Sequence, residues 1–403
     1  MLNTLAASLI WGINTLFLLD AGLSNTEAFA ANAFFTAGMV IFEVPTGIVA
    51  DTRGRRTSYL IGTATLVVST LFYLWMWQVS APFWAWALAS AFLGLGFTFF
   101  SGAFEAWLVD ALTFTGYFRE NGKLDAVLAR GTIVEGFAML GGSIAGGALA
   151  QATDLGAPYA LRAVILVLTF IVALVTMREL GFEPSRGKHP LLEVRRVLRA
   201  SIAHGFGNPP VRWVMLAAPA VGGVGIYAFY AMQPYLLELY GDEHAYGIAG
   251  MAAAIVAGSQ IAGGLLVPHL GSFFKRRTSV LLLGTLLSSA ALAVAGLVPN
   301  FYVAIASLVL WGLMFAAVTP VRQAYLNGLI SSEQRATVLS FDSLLESSGG
   351  VVVQPVLGKT ADLWGYPLSY TVGAAIQAMA LPFLWLARRE RAASDELSNA
   401  EPE

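Results

Sequence analysis

Apolar residues along this chain come in long unbroken blocks, with neither the strict alternation of a strand nor the one-sided stripe of a surface helix. Twelve blocks cover 2–19, 27–49, 57–77, 82–109, 126–150, 159–178, 211–236, 247–270, 279–298, 302–329, 336–358 and 367–387. A helix needs about 20 apolar residues to cross a bilayer core. Gly and Pro inside the blocks fit this reading, because membrane helices tolerate both. A transmembrane barrel would instead show alternating strands of ~10 residues. The pattern predicts an all-α integral membrane protein of twelve transmembrane helices. Composition agrees: of 403 residues, 57% are hydrophobic and only 12% charged, where a soluble domain carries about a quarter.

Charge then orients the chain. Of the 23 Lys and Arg, 19 fall in loops on the side of Arg53. The opposite side has Arg162 and Lys359, while Arg130 and Arg322 lie inside blocks. Basic loops stay cytoplasmic, so both termini are expected in the cytoplasm of a bacterial inner (plasma) membrane protein. Trp75, Trp77, Trp84 and Trp86 flank the 78–81 turn as an interfacial belt would. The first block begins almost at Met1, without the basic flank or cleavage site of a signal peptide, and reads as span one. No Asn-x-Ser/Thr sequon occurs.

One long connection divides the chain. Residues 1–178 form a six-helix half and 211–387 a second one. The linker 179–210 joins them, and 388–403 is a polar tail expected to be disordered. Within the linker, apolar residues from Leu191 to Ile202 alternate with Arg195, Arg196 and Arg199, as in an amphipathic helix on the inner leaflet. The halves repeat. Gly94, Phe97, Ala106 and Leu108 match Gly312, Phe315, Ala324 and Leu326, and Arg55-Arg56-Thr57-Ser58 matches Arg276-Arg277-Thr278-Ser279. Arg130 aligns with Arg335 and Asp154 with Asp362. Two six-helix repeats are a transporter plan, with substrate near the midplane and rocking for alternating access.

The loop between the second and third blocks reads Gly47-Ile-Val-Ala-Asp51-Thr-Arg-Gly54-Arg55-Arg56. It resembles the signature loop of the major facilitator superfamily, G-x-x-x-D-x-x-G-R-[RK], at every defining position. The resemblance covers the whole chain in span count, central loop and repeat, and implies two pseudo-symmetric six-helix bundles. Gly47 is expected to let helices approach closely, and Gly54 to permit a tight turn. The resemblance sets Asp51 against the N-terminal dipole of the eleventh helix, near Ala336. It sets Arg55, with Arg56 beside it, against Asp110, the acid ending the fourth helix. Together these residues would latch the cytoplasmic side, although topology signalling alone would also explain the arginines. The second half has Lys275-Arg276-Arg277 but Ser272 where an Asp would complete a second latch.

Ionisable residues inside spans are functional candidates by default: Glu43, Glu105, Glu135, Asp342 and Glu346, with Arg130 and Arg322 as counter-charges. Glu43 lies about 12 Å deeper than Asp51, and Glu346 about 16 Å in from Arg335. In the repeat, Glu105 falls opposite Gln323 and Glu43 opposite Gln260. An amide cannot take up a proton and a carboxylate can, so Glu43 and Glu105 are candidates for proton coupling. The competing reading pairs Glu105 with Arg130 or Arg322. Asp342 and Glu346 share one helix face, and Glu346 faces either substrate and protons or a salt bridge to Arg322. By the family resemblance helices one, four, seven and ten line the cavity. That brings Asn14, Tyr227, Tyr230 and Gln233 to it beside Glu105, Arg322 and Gln323. For the tyrosines, helix packing is the competing explanation.

Spaced glycines at 136, 141, 142, 146 and 147 resemble the fifth-helix motif of drug/proton antiporters, but Gly147 stands where that motif has proline. The fourth helix also lacks their outer arginine, so the likeness is partial. Glu43-Val-Pro45-Thr-Gly47 and Gly102-Ala-Phe-Glu105-Ala-Trp107 resemble bacterial members grouped with efflux pumps. Other chemistries find no support. There is no Cys for disulfides or zinc, no phosphate-binding loop, no His-Glu-x-x-His, and a net charge of -2 that offers no field for nucleic acid. The expectation is a monomeric, cofactor-free secondary carrier, proton-coupled, exporting small organic or amphipathic compounds. Nutrient uptake, and a non-transporting sensor or lipid-handling role, are the alternatives.

Overall fold

The structure is a computed structural model that describes residues 1–100, 103–120, 124–182, 205–330 and 332–397, without the side chains of 119, 120, 125, 126, 129 and 332–337. The expected amphipathic helix over 191–202 lies outside the described residues. Among the described residues, ten helices are long and apolar enough to cross a membrane. Leu2–Trp11 and Asn14–Asp20, bent by 52° at their junction, make an eleventh as a pair. The long stretch Val338–Arg389 breaks at Gly365 (φ 80°, ψ 168°), a conformation that favours glycine, and so supplies two spans. That gives twelve.

In chain order the spans are the bent pair, then Asn25–Arg53, Arg55–Gln78, Phe83–Phe114, Leu124–Ala152 and Gly156–Thr176. The second half has Pro209–Tyr240, Tyr246–Leu266, Arg277–Leu297, Phe301–Asn327, 332–364 and 366–389. The fourth span is itself two helices, Phe83–Thr98 and Ala103–Phe114. Helix starts follow local chemistry. Ser24 and Glu27 bond reciprocally ahead of Asn25–Arg53, and the Asn300 side chain accepts the Tyr302 and Val303 amides.

Contacts group the chain into two compact units. The first comprises Met1–Leu23, Ala30–Val194 and His244–Ala254; the second, Ser24–Phe29, Arg195–Glu243 and Ile255–Glu403. Each is one half of the chain plus the opening turns of a span from the other half.

In the first unit, span one packs on span five through small residues. A methyl added at Gly146 would fall 1.8 Å from the Leu9 carbonyl oxygen, and the Ser8 hydroxyl donates to Ala138 O at 3.0 Å. Above this contact Phe17, Tyr73, Trp77, Trp86 and Tyr159 form an aromatic cluster. Trp86 is fully buried and Trp77 donates to Asp20, so only Trp75 and Trp84 match the expected belt. Arg162 corrects the loop count: it lies inside Gly156–Thr176, 2% exposed, with its guanidinium 6.0 Å from the Phe97 ring centre.

The second unit repeats the small-residue contact between spans seven and eleven, where a methyl at Gly349 would meet Pro219 O at 1.9 Å. Its core gathers Val211, Leu281, Tyr325, Leu326, Val338 and Leu384. The expected disorder of the tail is corrected for the residues up to Leu397. Ser394 and Asp395 are buried. Asp395 accepts the Thr278 amide at 2.8 Å and its hydroxyl at 2.9 Å, and the Leu397 amide donates to Lys275 O at 3.1 Å. The carboxylate satisfies the Thr278 amide at the opening of the ninth span, which otherwise has no partner in the helix.

Candidate functional site

Arg322 on the tenth span is placed by Tyr325 and Val321 on the same helix, which are buried in the second unit's core. That packing turns Arg322 toward the eleventh span. Its Nη2 lies 2.5 Å from Asp342 Oδ1 and its Nη1 3.7 Å from Glu346 Oε2. The two acids are one turn apart, as the sequence predicts. The Asp342 side chain is 6% exposed and that of Glu346 37%. The first bond is therefore a closed, charge-assisted pair. Glu346 is held only loosely, and the trio carries one negative charge more than positive when both acids are ionised.

Close approach of spans seven and eleven seats this acid. A methyl at Gly222 would strike Glu346 Cγ at 2.3 Å. Arg322 and Glu346 line one end of a cavity of about 30 Å³ inside the unit, room for roughly one water. Its other walls include Phe315, Met314, Val318, Thr285 and Ser288. Behind Ser288 stands Gln377, whose side-chain amide donates to the Ser288 hydroxyl at 2.5 Å.

The loop after the second span is a second charged site, in the first unit. Gly54 adopts φ 104°, starting the third span one residue after the second ends. Arg55 reaches Asp51 at 3.4 Å and Asp110 at 3.8 Å. Glu179, at the end of the sixth span, accepts the Arg55 and Arg56 amides at 2.8 and 3.0 Å, and Arg56 Nη2 donates to Leu174 O at 2.9 Å. The expected close approach at Gly47 is not seen among the described residues: none of them stands within 4 Å of a methyl built there. The close approach of spans two and four occurs higher up, where Gly38 faces Ala91 O at 2.5 Å and Gly94 faces Phe35 O at 2.3 Å.

Glu179 and Asp395 were not among the residues the sequence singles out. Both follow the last span of their half and both cap the third span of that half. The signal was present in the matched Arg-Arg-Thr-Ser pairs, which mark where such caps belong. A similar pairing occurs at the opposite ends of the spans. Asp362 accepts the Asn25 and Thr26 amides, both at 2.9 Å, in the second unit. In the first unit, Gln151 accepts the Gly247 amide at 3.1 Å.

Other candidates are dispersed. Glu43, Glu105, Arg130, Glu135 and Gln323 are exposed, and among the described residues no salt bridge joins Glu105 to Arg130 or Arg322. Asn14 is buried, donating to Asn32 at 3.0 Å and accepting from Tyr159 at 2.9 Å. Tyr227 is buried against Phe29 and Tyr370 and shares a 2.5 Å hydrogen bond with Ser369. Tyr230 is half-buried, and Gln233 is fully buried in the same span.

Known proteins supply the wider context. No curated protein matches the chain in sequence. Among solved structures, a mutant form of the nucleoside transporter NupG matches with a TM-score of 0.79 at 14% identity, over 96% of this chain and 98% of its own. A bacterial homologue of the human lysosomal transporter Spinster, inward-facing and unoccupied, gives 0.72 at 16%, over 99% and 96%. The xylose transporter XylE from E. coli, in an inward-open conformation, gives 0.69 at 14%, over 95% and 94%. These likenesses show the fold. The sequence profile of the Major Facilitator Superfamily matches residues 1–275 and 247–402. With twelve apolar spans, two repeated halves and this profile spanning nearly its full length, the chain belongs to the Major Facilitator Superfamily.

Proposed function

We propose that this transporter is a proton-coupled secondary carrier, monomeric in the bacterial inner membrane with both termini cytoplasmic, and that it exports small organic or amphipathic compounds. One observation carries the reading: a loosely held carboxylate, Glu346, beside a closed Arg322–Asp342 pair at a cavity inside the second unit. An ion pair alone would neutralise itself. The additional acid gives the site a group that can trade its charge for a proton or a ligand during each cycle. Apolar walls with Thr285, Ser288 and Thr319 suit a ligand of mixed character. Arg55, Asp51 and Asp110 serve as the cytoplasmic latch, with Gly54 and Arg56 placing the loop.

Glu43 and Glu105 are the alternative proton carriers, and their exposure on the first unit is compatible with that role. Nutrient uptake is the second reading, favoured by the hydroxyl and amide groups of Ser288 and Gln377 near the cavity. The test is flux in proteoliposomes under an imposed pH gradient with a compound panel, comparing wild type with Glu346→Gln and Glu105→Gln. Loss of gradient-driven movement in Glu346→Gln alone supports the reading. Loss in Glu105→Gln alone transfers the role to the first unit. No gradient-driven movement of any compound in wild type overturns the carrier reading.

A further inference from the structure

A groove of about 630 Å³ runs between the ninth and twelfth spans, away from the Arg322 cavity. Leu282, Leu283, Leu286 and Leu381 form its walls, with Trp385 and Arg388 toward one end. Leu286 and Trp385 are each 50% exposed, so the apolar lining is open to whatever surrounds the spans. Ser279 to Leu286 and Leu381 to Arg388 are both seven-residue steps, so the groove follows each helix for about 10 Å.

Its two ends differ chemically. The deep end is purely aliphatic. The shallow end lies where the ninth span begins and the twelfth stops, and cations collect there. Arg388 lines it, the Arg389 guanidinium sits 4.5 Å from the Trp385 ring centre, and Lys275 and Arg276 immediately precede the ninth span. Nearby acids are engaged elsewhere: Asp395 caps Thr278, and Glu390 accepts Trp213 Nε1 at 3.0 Å. Glu396 is the remaining described acid of the tail, set against four cations.

We propose that this groove is a binding site for an anionic phospholipid, with the acyl chains along Leu282, Leu286 and Leu381 and the phosphate between Arg388 and Lys275. The occupant follows from the match of polarity to depth. The aliphatic walls lie within two membrane spans, and the cations sit at the level where those spans end, as headgroups do. Basic pockets between membrane helices at that level recruit acidic headgroups. Trp385, apolar in body and polar at its indole nitrogen, suits the same boundary.

Trp385 also provides the assay. The full-length protein is placed in phosphatidylcholine vesicles holding equal fractions of dibrominated phosphatidylglycerol or dibrominated phosphatidylcholine. Quenching specific to the groove is the difference between wild type and Trp385→Phe. The expected result is stronger quenching by the anionic lipid, with its association constant relative to phosphatidylcholine, read by varying the brominated fraction, falling about 5-fold in Arg388→Gln or Lys275→Gln. Arg388→Lys should retain the preference, which separates charge from packing. Equal quenching by the two lipids in wild type would reduce the groove to ordinary bilayer contact and overturn the proposal. So would an undiminished preference in the Arg388→Gln/Lys275→Gln double variant.

Discussion

Gly349→Ala should destabilise the second unit by an amount set by one contact. The new methyl would lie 1.9 Å from the Pro219 carbonyl oxygen and 2.6 Å from its carbon, where ordinary contact begins at 3.4 Å. The obstacle is backbone in a helix, which cannot swing aside as a side chain can. Spans seven and eleven must therefore part by ~1.5 Å at that level, in an interior packed too densely to absorb it. Overpacking of this kind costs about 2–3 kcal/mol, partly offset by the ~1 kcal/mol by which Ala outranks Gly in a helix. The net loss of about 1–2 kcal/mol corresponds to a fall of roughly 2–8 °C in melting temperature for a unit of about 200 residues. Gly258→Ala is the control: nothing stands within 4 Å of its methyl, so the propensity gain should appear alone and raise the melting temperature slightly. Thermal unfolding of the purified protein in one detergent reads both. A Gly349→Ala protein as stable as Gly258→Ala would refute the close approach that seats Glu346.

Gly146→Ala should reproduce the loss in the first unit, because Leu9 O stands 1.8 Å from its methyl, and the same melting assay checks it. Asp395→Ala removes both bonds to Thr278, and loss of such a cap costs about 1–2 kcal/mol. It should also speed amide exchange at the start of the ninth span, read by mass spectrometry. Arg322→Gln strands two carboxylates beside one another, which for a buried pair costs about 3–5 kcal/mol. Arg322→Gln/Asp342→Asn should recover most of that stability, because the closed pair is removed as a unit.

How far the sequence reached depends on the range of the interaction. The twelve spans were legible because each apolar block is a local property, and the Asp342–Glu346 face because one helical turn fixes it. Arg322 against those acids was one of two partner sets the sequence allowed. It takes the packing of Tyr325 and Val321 to decide between them. The Glu179 and Asp395 caps join residues more than a hundred positions apart in a chain that names neither partner. Gly47 shows the same limit from the other side: the motif marks a glycine, but only the crossing of spans two and four tells that Gly38 and Gly94 meet backbone, while among the described residues Gly47 does not. Arg162 was counted with the loop cations because it stands only three residues past the start of the sixth block at Tyr159. The helix in fact begins at Gly156, below the local turn in which Asp154 accepts the Gly156 and Ala157 amides.

In the proposed mechanism Glu346 carries the charge that couples protons to substrate, with Arg322–Asp342 as a fixed pair beside it. Its most direct test separates coupling from binding in the same vesicles. A compound moved by wild type is followed in two regimes, accumulation driven by an imposed pH gradient and exchange between equal concentrations at uniform pH. Glu346→Gln should lose the accumulation and keep the exchange. A Glu346→Gln carrier that still concentrates the compound as wild type does would contradict the account.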